Sequence, residues 1–146
     1  MKYIICIILI FNISAVNANE IFNLLKIPNL EIYNTNSLNG LKYLYAESNF
    51  KIGLKKNISC NKSEKKELDK KYPIVEKNLN KYKADFLIKN NLKFIILCEN
   101  LTVSSINTGG IPNIFKRSLI LDINFNQKYF ERMIHHEFFH MIQAKH

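Results

Sequence analysis

The sequence predicts an α+β domain, a small sheet packed on an amphipathic helix and on a second helix at the C-terminus. Three observations carry this. Val75, Leu79, Tyr82 and Phe86 recur at helical spacing, with Lys77, Asn80, Lys81 and Lys83 between them. "KFIILC" (Lys93 to Cys98) and "SLILDI" (Ser118 to Ile123) are short apolar runs rich in β-branched residues, the mark of buried strands. Phe130, Ile134, Phe138 and Met141 then stripe one face of the final stretch, again at helical spacing.

Taken in order, the chain opens on Lys2, the apolar run "YIICIILIFNISAV" and the small-residue site "AVNA". This reads as a secretory signal over residues 1–18, cleaved after Ala18; a retained anchor is the alternative. Residues 19–146 suit a single domain, secreted or periplasmic. They hold no second long apolar segment, so no stable membrane insertion is expected after signal cleavage. "LEIYN" and "FKIGLKK" read as strands. Pro73 suits the first turn of a helix running to about Ile88, and Asn90 and Asn91 turn the chain after it. Gly109, Gly110 and Pro112 mark a loop, the glycines allowing backbone conformations that other residues resist. Asn124 or Asn126 caps a last helix that starts near Gln127.

With the signal removed, Cys60 and Cys98 remain. They allow one disulfide in an oxidising compartment, contributing about 3–4 kcal/mol if unstrained; two free buried thiols are the alternative. The net charge of +9 does not point to nucleic acid. The lysines are spread through the middle of the chain, mixed with Glu64, Glu67 and Asp69, and arginine is confined to Arg117 and Arg132. That is the pattern of a solvated lysine face, since bidentate phosphate and base contacts favour arginine.

The chemistry sits in "MIHHEFFHMIQAKH", where His136, Glu137 and His140 have the spacing H-E-x-x-H. Residues four apart share a helix face, so two imidazoles can bind one Zn²⁺ there. Glu137 lies one step round the helix, placed to take a proton from a metal-bound water. His135 lies about 100° from His136 and reads as a polar surface or supporting residue.

At these residues the chain resembles the zincin metallopeptidases, and "HHE" with "FFH" is similar to a group of bacterial zinc-binding metallopeptidases. "SLILDI" followed by "FNQKYFERMIHHEFFHMIQ" looks like their passage from sheet to active-site helix. The resemblance covers roughly Lys93 to Gln143. It implies a zincin-like fold, a peptide or protein substrate, Zn²⁺, His136 and His140 as ligands and Glu137 as general base. It further implies hydrolysis of peptide bonds through a zinc-bound water. A third ligand is required. In one zincin branch it is a glutamate on a later helix, and no later helix follows here. In another the motif extends to H-E-x-x-H-x-x-G-x-x-H, which places His146 at the third histidine but Gln143 where a turning glycine belongs. Glu131 and Asp122 are further oxygen donors nearby, without a spacing argument in their favour. The chain therefore reads as a secreted zinc metallopeptidase or a C-terminally shortened form of one. A non-catalytic secreted domain with a structural metal or none is the alternative. No feature bears on oligomeric state.

Overall fold

The computed structural model describes residues 27–145; the expected signal (1–18) and His146 lie outside them. Within this span the chain folds as an α+β structure built on one long strand, β5 (Phe94–Val103). The preceding strands are β1 (Leu30–Asn34), β2 (Lys42–Ala46), β3 (Phe50–Ile52) and β4 (Ile58–Asn61), followed by helices α1 (Lys65–Leu79) and α2 (Ala84–Lys89). After β5 come β6 (Ile106–Asn107), β7 (Gly110–Asn113), a 3₁₀ turn (Ile114–Lys116), β8 (Ser118–Asp122) and α3 (Phe130–Gln143).

β5 pairs with four strands, two along each half of its length. Its first half lies between β2 and β8, both parallel to it, and β7 closes that edge antiparallel to β8. Its second half lies between β4 and β6, both antiparallel. The change falls at Asn100, whose φ of 53° is left-handed. Asp122 braces this kink, accepting the backbone N–H groups of Asn100 and Asn124 on Oδ1 and of Leu101 on Oδ2.

Period-two alternation along β5 sorts the core. Ile95 and Leu97 face the helices with Leu119 and Leu121, while Phe94, Ile96 and Cys98 face the opposite side with Leu44 and Ile120. Leu68, Val75 and Leu79 of α1 and Phe130, Ile134, Phe138 and Met141 of α3 cover the first face. Cys60 and Cys98 are bridged, with Cα atoms 5.9 Å apart.

Several boundaries differ from the sequence-based expectation. The helix expected from Pro73 to Ile88 is two helices, and the first starts at Lys65 with Pro73 in its interior. Pro73 is exposed, so its missing N–H leaves an unpaired carbonyl that water can satisfy. The segment "KKELDKK" (Lys65 to Lys71) is correspondingly helical, and its Lys71 is buried, the ammonium bonded to Gln127 and lying over the Phe130 ring. "FKIGLKK" is a strand only to Ile52, because Gly53 (φ 94°) and Lys56 (φ 49°) turn the chain. α3 begins at Phe130 rather than near Gln127; Asn126 instead forms a turn, its side chain accepting the N–H of Lys128. "ENLTV", expected in a loop, continues β5.

Candidate metal centre

α3 buries Phe130, Met133, Ile134, Glu137, Phe138 and Met141, a stripe at helical spacing pressed onto the sheet. This orientation leaves His136 exposed and His140 half-buried along the margin of the stripe. The two rings meet edge to face, with their Nε2 atoms 3.0 Å apart. Two nitrogens on a tetrahedral zinc, each about 2.0–2.1 Å from it, stand roughly 3.3 Å apart, so the pair fits the ion with little movement. Gln143, one turn on, fixes the second ring: its Oε1 lies 3.0 Å from His140 Nδ1. With the proton on Nδ1 donated to that oxygen, Nε2 keeps its lone pair for a metal. Gln143→Ala is accordingly expected to weaken zinc affinity about 10- to 100-fold, measured by competition with a chromogenic chelator.

Glu137 is 8 % exposed and opens onto a cleft of about 420 Å³ that His136, Met133 and Gly109 also line. Burial pushes its carboxyl up from 4.5 to about 7, partly opposed by nearby His140. A carboxyl poised near neutrality is suited to accept and return a proton.

The other candidates have different partners. Asp122 is committed to three backbone N–H groups. Glu131 accepts from the Asn78 amide. His135 turns toward α1: Tyr82 donates to its Nδ1 at 2.7 Å, and its Nε2 faces Asn78 Oδ1 at 3.0 Å. Both ring nitrogens are thus used by a neutral imidazole, and burial holds its pKa below the ordinary value. These bonds lock α1 to α3. Among the described residues no group of three or more His, Cys, Asp and Glu converges. α3 continues helically through Gln143 into Ala144 (φ −72°), so Gln143 does not make the sharp turn of the extended zincin motif.

The strand that roofs the site, β7, lies where the glycines and Pro112 predict a loop. β7 is the edge strand beside β8 and packs on α3. Gly109 and Gly110 are needed here for close approach, not for the unusual backbone conformations expected of them: positive φ among the glycines falls at Gly40 and Gly53. A Cβ on Gly110 would stand 2.6 Å from Glu137 Cγ and 3.0 Å from Met133 Sδ, and one on Gly109 would stand 2.6 Å from Met133 Cγ. Gly110→Ala must therefore displace the Glu137 side chain or lift the edge strand, at about 1–3 kcal/mol by thermal or urea unfolding. The paired glycines were the signal available in the sequence.

Compared with protein-family models, curated proteins and solved structures, the chain gives no significant match.

Proposed function

We propose that this chain is a secreted zinc-dependent peptidase of zincin type. The observation that carries the reading is the convergence of His136 and His140 Nε2 beside a buried Glu137, under a glycine-bearing edge strand. When bound between the two imidazoles, zinc supplies a Lewis acid that polarises a peptide carbonyl and acidifies water. Glu137 accepts the proton from the attacking water and delivers it to the departing amine. Among the described residues β7 pairs only with β8, and the register turns the Gly110 N–H and the Pro112 C=O outward, toward a peptide lying extended along that edge. His135, Asn78 and Tyr82 hold α3 at a fixed height beneath that strand. The Cys60–Cys98 bond suits an oxidising compartment, and no described helix is long and apolar enough to cross a membrane.

A second reading, a non-catalytic secreted domain whose histidines hold a structural metal or none, is favoured by the lack of a third converging donor among the described residues. The peptidase reading requires a third protein ligand besides water, and His146, which lies outside the described residues, is the candidate for it. Metal analysis and peptide digestion separate the two. The peptidase should bind about one zinc per chain, lose it in His136→Ala, and cut unstructured peptides only when loaded. Zinc binding without cleavage of any member of a mixed peptide library would leave the second reading standing.

A further inference from the structure

Of the 21 lysines and arginines only Arg117 and Arg132 are arginine. Arg117 has a structural place: it is left-handed (φ 55°) between the 3₁₀ turn and β8, and its carbonyl accepts the N–H groups of Lys93 and Phe94. Arg132 has none. It is exposed, and among the described residues it makes neither an ion pair nor a side-chain hydrogen bond. It also lies in the first turn of α3, where a cation opposes the helix dipole, so helix stability does not account for it.

Its position does have a functional sense. Arg132, His136 and His140 are spaced four apart and share one face of α3. Arg132 and His136 both line the cleft that holds Glu137, and both line a second hollow of about 410 Å³ bounded by Tyr82, Phe139 and Ile142. No other lysine or arginine among the described residues lines either cavity. A guanidinium presents a planar fork of donors that matches a carboxylate in bidentate fashion, which the prevailing lysines would not.

We propose that Arg132 binds a substrate carboxylate, so that the preferred peptides carry an acidic side chain or their own C-terminal carboxylate within a few residues of the scissile bond. The inference rests on the peptidase reading for the identity of the ligand. The overall positive charge of +9 favours encounter with such peptides.

The test uses the zinc-loaded chain and three otherwise identical peptides: one with an internal Glu and an amidated C-terminus, one with Gln in its place, and one with Gln and a free C-terminus. The Glu peptide or the free-terminus peptide should be cut about tenfold or more faster in kcat/KM than the amidated Gln peptide, and which of them is favoured identifies the source of the carboxylate. In Arg132→Gln the ratio between the carboxylate-bearing and the amidated Gln peptides should collapse to within about twofold, and Arg132→Lys should keep part of it. Equal rates in the parent, or equal loss on all three peptides in Arg132→Gln, would overturn the proposal. Should no peptide be cut, fluorescence anisotropy of the same labelled peptides on Glu137→Gln protein decides separately. Carboxylate-dependent binding that Arg132→Gln abolishes keeps the Arg132 assignment while hydrolysis fails, and binding without discrimination rejects it.

Discussion

Glu137→Gln is expected to lower peptide hydrolysis about 100- to 10,000-fold while leaving zinc stoichiometry unchanged, because the amide keeps the shape of the side chain and cannot accept a proton. Digestion rates and metal content measured on the same preparation check this; retained activity would sink the assignment of Glu137 as base. The metal-free protein gives an independent signature. Its folded-state carboxyl titrates near 7 against an ordinary 4.5, so the folded form binds more protons between those values. The contribution of Glu137 to stability is then fully present below 4.5 and is lost as pH rises through 7. The glutamine variant lacks this dependence. In chelator-treated protein its stability relative to the parent should therefore rise from pH 5 to pH 8 in urea unfolding. A difference that stays flat would mean that the carboxyl is not desolvated. With zinc bound the neighbouring cation favours the charged form, so the acid limb of the activity profile should fall below 7.

How much of this site could be read from the sequence depended on the range of the interaction. H-E-x-x-H, the apolar stripe of α3 and the strands at Phe94 and Ser118 are local patterns, in which a residue and its neighbours a turn or a pleat away state their own geometry. The pairing of β7 with β8 is not local in that sense. "GIPN" has a proline, two polar-leaning positions and no alternation, and it becomes a strand because Leu119 and Leu121 of β8 offer it a partner. The same holds for Gly110, whose need for an absent Cβ is set by Glu137, distant along the chain. The start of α1 is hidden in the sequence for a different reason. Its first half, "KKELDKK", shows one apolar residue, Leu68, and its buried side also takes Lys71 and Tyr72, so the periodic signal begins only near Val75. Gln143 does not suit the place of a turning glycine, but in a helix that continues it is the residue that orients His140.

Removing the disulfide should have the largest effect on stability. Cys60 on β4 and Cys98 on β5 are 38 residues apart, and the loop they close contains both α1 and α2. Closing a loop of that length in the unfolded chain contributes about 4 kcal/mol in the chain-entropy treatment, against a total of roughly 5–15 kcal/mol for a typical domain. The cysteines are 1 % and 0 % exposed, among Phe50, Ile96 and Leu101, so alanine at both positions leaves apolar contacts largely in place and isolates the crosslink. The Cys60→Ala/Cys98→Ala double variant should lose about 4 kcal/mol in urea unfolding, with a steeper denaturant slope because the open chain exposes more surface. A loss below about 1 kcal/mol would mean that the loop is already constrained without the bond. The consequence reaches the metal centre through α1. Asn78 and the following Tyr82 hold His135, one residue before the first ligand, and both lie inside the closed loop. Loosening α1 should therefore weaken zinc binding in the double variant under conditions where most of the protein is still folded, whereas in the parent zinc loss and unfolding should coincide.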